Sequence, residues 1–426
     1  MSERKGLPIG NDDFRKLREN GSYYVDKTLM IKDFIEMQDE VALVARPRRF
    51  GKSLNMTMLR EFFDITVDSH AIFDGLAITD TEYAGRMNSQ PVIYFTFKNC
   101  KGATIEELTE QLKQAIKVEY ARYDEIFHKK VDEGTFSVRE YMRTYHMLME
   151  QGTSFIYLSS ALLDLTRVVY EFYHIRPILL IDEYDQPIMS SYEYGYHEQL
   201  GPFFSNLYGS AMKGNPALGQ ALLTGVQRVA KESIFSQFNN ARVYTVLHKQ
   251  YAPYFGLTVP ETSSLLSDYG LELDGNVRRK YDGYRFGGIE MYNPWSILNY
   301  ADMGSLDNFW INTSSNYLVK KALREADTRF WEKFDELASG KEIPVWLTLE
   351  TSYLERNSSY SLWGLLVNSG YLTALKRIDA NTAMVRIPND EVMSEYQMLI
   401  AEISGIDGLA HNKKQCEMAY ELINTG

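Results

Sequence analysis

Cysteine is almost missing: the chain has 2 in 426 residues, Cys100 and Cys416, far apart and without partners at metal-ligand spacing. That excludes a disulfide framework and a zinc ribbon, and the expected compartment is a reducing cytoplasm. Long hydrophobic runs are missing too. No stretch approaches the roughly 18 apolar residues that cross a bilayer, and the first residues, MSERKGLPIGNDDF, lack the apolar segment of a signal peptide. The expectation is a soluble, untargeted chain with no membrane contact. Positive charge is in deficit, with 45 Lys+Arg against 57 Asp+Glu and a net charge of −12. Nucleic acid is therefore repelled on average, and any DNA contact has to be local and weak. The 7 histidines sit in no Gly-x-Ser-x-Gly or Cys-Gly context, so the usual marks of a hydrolase nucleophile are absent.

What remains is the composition of a protein with a core. Hydrophobic residues at 45% and charged residues at 24% exclude disordered, collagen-like and coiled-coil chains. The length exceeds one ordinary core, which leads to two domains, residues 1–248 and 249–426. The 30 tyrosines are spread along the chain and are read as packing residues rather than a base-stacking surface.

Four short apolar runs read as strands buried on both faces: Val41 to Ala45, Pro91 to Phe97, Ile178 to Ile181 and Ala221 to Thr224. Helical patterns separate them. One covers 104–124, with Thr104 and Glu107 spaced as a capping box. Strands alternating with helices predict a mostly parallel sheet with helices on both faces, whose ligand sites lie at the carboxyl ends of the strands. After residue 248 the texture changes. Asp-Gly and Gly-Gly turn signals fall within 281–293, and residues 361–398 read as helix, strand, turn, strand, helix, the order of a winged-helix module or of a small packing lid.

The polar motifs fall at the strand ends. Gly51-Lys52-Ser53 lies directly between the first strand and an apolar helix that starts with Leu54. There, inward backbone N–H groups, a lysine and a hydroxyl can hold a polyphosphate and Mg²⁺. The full phosphate-loop pattern asks for glycine five positions before Gly51, where this chain has Arg46. Arg46, Arg48 and Arg49 instead add positive charge suited to phosphate. Ile178 to Ile181 followed by Asp182-Glu183 has the form of a Walker B strand, in which Asp182 holds Mg²⁺ and Glu183 orients and deprotonates the attacking water. Thr224 can touch the γ-phosphate or that water, or satisfy its own backbone. Arg228 can stabilise charge in phosphoryl transfer, or form an interface ion pair.

On Tyr24 to Thr28, Arg46-Pro47-Arg48-Arg49-Phe50-Gly51-Lys52-Ser53-Leu54, Leu180 to Asp185, Thr224 to Val226, Tyr281 to Gly287, Tyr292 to Ser296 and Ser369 to Thr373, the chain resembles the bacterial AAA-ATPase-like family whose members often end in a PD-(D/E)xK nuclease domain. The resemblance implies a P-loop ATPase core with an extra strand between the two Walker strands, then a helical and winged-helix-like region. It implies a nucleotide loop running from Arg46 through Arg49, Phe50, Gly51, Lys52, Ser53 and Leu54. Ser53 and Asp182 are then on the metal, Lys52 on the phosphates and Glu183 on the water. Asp26 and Lys27 match without a role beyond placement near the nucleotide or a helix-capping turn. No Glu-x-Lys follows Arg386, so no nuclease activity is expected.

The fold class expected is therefore α/β, a P-loop NTPase core followed by a helical, winged-helix-like region. The expected function is ATP binding and hydrolysis with Mg²⁺, coupled to residues 249–426 and a protein partner. Three alternatives stay open. The chain can be a nucleotide-gated module without hydrolysis, a homo-oligomer whose neighbour supplies an arginine, or a DNA-contacting protein using Lys376, Arg377 and Arg386.

Overall fold

The apolar runs Val41–Ala45 (β1), Val92–Thr96 (β2), Ile178–Asp182 (β3) and Gln220–Gly225 (β4), together with Ala241–Tyr244 (β5), form one sheet in the order β2-β3-β4-β1-β5. Every neighbouring pair is parallel. The computed structural model that contains it describes residues 4–127, 135–150, 155–229, 240–310, 317–347, 349–351 and 359–403. Alternate side chains leave opposite faces of each strand, and the packing follows that period of two. Val41, Leu43, Leu179, Ile181 and Leu223 enter one hydrophobic cluster, while Ala42, Val44, Ile178, Leu180 and Leu222 enter another. The helices Lys52–Phe63 and Leu29–Met37 pack on the second face, and Ile105–Phe127, Ala161–Tyr173 and His197–Met212 on the first.

The strand between β1 and β3 is β4, in register with both: Val44 lies beside Thr224, and Ile181 beside Leu223. The carboxyl ends of these three strands thus emerge side by side. The fifth strand was not foreseen, because β5 is a short edge strand with Arg242 outside, paired to Asp39 at 3.2 Å, and carries no apolar run. Half of the capping box at the start of Ile105–Phe127 is present: Thr104 Oγ1 accepts the Glu107 N–H at 3.2 Å, while Glu107 Oε2 reaches past the cap residue to the Ala103 N–H at 2.8 Å.

Beyond residue 248 the chain builds a small antiparallel sheet from Leu257–Thr258, Ile289–Tyr292 and Tyr284–Phe286. The Gly-Gly signal is its hairpin turn, with Gly287 and Gly288 both at positive φ, +57° and +90°. The expected helix, two strands and helix of 361–398 are Ser359–Ser369, Thr373–Arg377, Thr382–Arg386 and Asp390–Ile403. An unforeseen strand, Ile343–Trp346, pairs with Thr382–Arg386 and makes the sheet three-stranded. A single hydrophobic cluster runs from Phe14, Val44 and Phe50 to Tyr284, Trp310, Leu366 and Ile400, so residues on the two sides of position 248 share a core. No helix among the described residues is long and apolar enough to cross a membrane.

Gly283 shows how closely the parts fit. Its φ is +108°, and a Cβ there would stand 2.0 Å from the Pro388 carbonyl oxygen, a backbone atom that cannot swing away. Gly283→Ala should lower stability by about 2 kcal/mol or more in denaturant melts. Gly275→Ala, at a helix start with open space around the Cβ, should change it little.

Candidate functional site

The loop after β1 turns twice through left-handed backbone, at Arg49 (φ +69°) and Gly51 (φ +81°), before entering the helix Lys52–Phe63. Gly51 is the N-cap residue and no side chain caps this helix, so its first-turn N–H groups and the positive end of its dipole face the strand ends. Lys52 Nζ lies over the loop, 3.3 Å from the Arg46 carbonyl, 3.2 Å from that of Pro47 and 3.4 Å from Glu183 Oε1. Arg49 stacks its guanidinium 4.1 Å from the centre of the Trp295 ring.

Asp182, the last residue of β3, is fully buried and accepts two hydroxyls, Ser53 Oγ at 2.6 Å and Thr224 Oγ1 at 2.7 Å. One carboxylate therefore joins the helix Lys52–Phe63, β3 and β4. Burial, with the Glu183 charge adding to it, pushes the Asp182 carboxyl up to about 6, against the pull of the two hydroxyls and Lys52. Glu183 itself sits at φ +53°, a strained conformation for a residue without a glycine's freedom, and this turns its carboxylate toward Lys52.

A third carboxylate was overlooked as a site residue. Asp185 Oδ2 accepts the Val226 N–H at 2.9 Å and the Gln227 N–H at 2.7 Å, while buried Oδ1 has no hydrogen-bond partner. Burial first, and Glu183 second, raise it to about 7. Gly225 is obligatory beside it, since a Cβ there would lie 2.6 Å from Asp185 Oδ1. The sequence signal was the third acid after the buried run, in Asp182-Glu183-Tyr184-Asp185, but its partners just after β4 are a tertiary fact.

Arg46 is turned into the core. Its side chain is fully buried, donating from Nη1 to the carbonyls of Ala45 (2.8 Å) and Tyr244 (2.9 Å) and from Nη2 to that of Gln250 (3.3 Å). It lies between the Phe255 and Phe286 rings, each centred 5.4 Å away. It braces β1 against β5, which corrects the expectation that its charge faces a polyphosphate. Phe50 is buried against Tyr284 and Phe286, with ring centres 5.0 Å away in both cases. It also lines, with Tyr23, Val25, Gly51, Leu54 and Leu298, an apolar hollow of about 90 Å³ next to the loop. Arg228 lies beyond β4, in a two-residue strand paired with Glu350–Thr351.

Asp26 and Lys27 gain physical roles. Asp26 Oδ1 accepts the Thr28 N–H at 2.8 Å, and Asp26 Oδ2 the Ala77 N–H at 2.7 Å. Lys27, on the wall of the apolar hollow, binds Glu261 at 2.6 Å and the Pro253 carbonyl at 2.7 Å, tying the amino-terminal segment to the helix Val259–Asp268. Lys376 and Arg377 are exposed on the carboxyl-terminal hairpin. Arg386 lines a separate hollow that holds both Arg278 and Arg279 and the acids Asp282 and Asp390.

The raised carboxyls have a measurable sign. An Asp lifted from 3.8 to about 7 keeps its proton in the folded chain where the unfolded chain has lost it, so stability is full below about pH 4 and falls as pH rises through 7. Without Mg²⁺ or nucleotide, Asp185→Asn should match wild type near pH 4.5 in denaturant melts. It should exceed wild type by on the order of 1–3 kcal/mol near pH 8. A difference constant over that range would contradict the assignment.

A family described as "Predicted AAA-ATPase" matches residues 8–235, more than half of the chain. A protein of Azotobacter chroococcum mcd 1, described as an uncharacterized protein in the vnfD 5'region, is 26% identical over 401 residues, which cover 91% of this chain and 68% of that one. With that match across residues 8–235, the chain belongs to the predicted AAA-ATPase family.

Proposed function

We propose that the chain binds ATP with Mg²⁺ and hydrolyses it at the carboxyl ends of β1, β3 and β4. The observation that carries this reading is Asp182 held between Ser53 and Thr224 at the start of an uncapped helix, with Lys52 beside Glu183. The donor set suits the group. Ser53 and Asp182 offer the hard oxygens that Mg²⁺ prefers, and the metal takes its other ligands from phosphate and water. A buried, up-shifted Asp182 is also a carboxylate that a nearby cation would stabilise.

In this reading the N–H groups of Gly51, Lys52 and Ser53 and the Lys52 ammonium bind the phosphates, as a helix N-terminus does for anions. The apolar hollow beside Gly51 and Leu54 takes the base, its aromatic and aliphatic walls suited to a flat heterocycle. Glu183 positions and deprotonates the attacking water, and Thr224 fixes the side of the cleft toward the γ-phosphate. Arg228, or an arginine of a neighbouring copy, is the candidate for the charge that builds on the transferred group. Phe50 holds the loop in the core and Leu54 borders the base.

A second reading has its own support. Glu183 is ion-paired with Lys52 at 3.4 Å, which engages the water-activating carboxylate, so the protein can act as a nucleotide-gated module with negligible turnover until a partner or neighbouring copy separates the pair.

Lys52→Ala should weaken Mg²⁺-ATP binding by at least about tenfold and abolish phosphate release, since it removes a charge-assisted contact to phosphate. Glu183→Gln should keep binding and lower kcat by about 10²–10⁴-fold. Turnover of Glu183→Gln equal to wild type would remove Glu183 from catalysis. Specific activity that rises with protein concentration would support a site completed between copies, and tight binding without release would favour the gated module.

A further inference from the structure

We propose that the segment Gly225–Val229, which leaves the sheet at the end of β4, transmits the state of the nucleotide cleft to the carboxyl-terminal helix Ser359–Ser369, with Gln227 as the positioning residue between them. The inference rests on the nucleotide reading above. Its links are contiguous. Thr224 touches Asp182, and the next two backbone N–H groups but one, those of Val226 and Gln227, are held by Asp185. The Gln227 carbonyl accepts the Tyr184 hydroxyl at 2.6 Å, so the segment is tied to the turn after β3 at several points.

The side chain of Gln227, fully buried, points the other way. Its Nε2 donates to Ser369 Oγ at 3.0 Å, and its Oε1 accepts from Asn368 Nδ2 at 3.1 Å. Asn368 Nδ2 also reaches the Leu349 carbonyl at 3.1 Å, just before the strand Glu350–Thr351 that pairs in parallel with Arg228–Val229. One residue therefore joins the acid cluster through its backbone and the carboxyl-terminal helix through its amide. The same helix end abuts the phosphate loop. At Gly370 (φ +84°) a Cβ would lie 3.1 Å from Pro47 Cβ, and the Pro47 carbonyl is one of the acceptors of Lys52.

Such a joint transmits movement because slipping is costly. Shifting the helix against the strand end would leave a buried amide and hydroxyl without partners, which costs more than making such a bond gains. Phosphate and Mg²⁺ act on Lys52, Ser53 and Asp182, so the contacts of Thr224 and Pro47 differ between the bound and free states. That difference is what coupling requires.

The test is hydrogen exchange by mass spectrometry on the full chain, with and without Mg²⁺ and a non-hydrolysable ATP analogue. It compares wild type, Gln227→Leu and the milder Ser369→Ala, with analogue affinity and melting temperature measured for each. In wild type, the analogue should change exchange in peptides covering 359–377 by about threefold or more. Both variants should bind the analogue within about threefold of wild type and lose most of that change. The coupling is overturned if wild type binds the analogue with no change in 359–377, or if both variants respond as wild type does. If wild type does not bind the analogue at all, the nucleotide reading falls and the coupling with it, an outcome that the affinity measurement separates from the others.

Discussion

The buried carboxylate of Asp182 is the constraint on which the rest is arranged. Its two hydroxyl partners come from the helix after β1 and from β4. To bring them there, β4 has to lie between β1 and β3, with Thr224 level with the end of each neighbour. An unpaired ion in such a place would be expelled or protonated. The surroundings answer with two hydroxyls, a lysine and a carboxyl lifted to about 6, a compromise that a divalent cation would complete. Glu183 and Asp185 add to the same imbalance of negative charge around one ammonium.

The loop that faces this carboxylate departs from the glycine-rich form, and the structure accounts for the difference. Where a glycine would only allow a turn, Arg46 fastens the turn by filling the space between β1 and β5 and capping three carbonyls. Burial alone pulls its guanidinium down to about 9, which still leaves it charged at neutral pH. Lys52 and the uncapped helix N-terminus are left at the strand ends, with Arg49 standing against Trp295.

What was legible in the sequence were features whose cause is local. The continuous apolar runs of β1 and β3, the Thr104 side chain capping the Glu107 N–H, and the Gly-Gly hairpin each follow from neighbouring residues. What was not legible depends on partners far along the chain. Lys27 meets Glu261 and Gln227 meets Asn368 and Ser369, while β5 becomes a strand only because β1 is there to pair with it. Arg46 misled for the same reason: charge in a loop suggests phosphate, and only the position of Tyr244 and Gln250 turns it inward.

The most direct measurement of the central claim is pulsed electron paramagnetic resonance of the full chain with Mn²⁺ in place of Mg²⁺ and ATP present. The account predicts phosphorus hyperfine coupling in the protein-bound Mn²⁺ spectrum. That bound signal should be lost or strongly weakened in Asp182→Asn and reduced in Ser53→Ala. A bound signal of undiminished strength in Asp182→Asn would contradict it, because the metal would then lie elsewhere than at the end of β3.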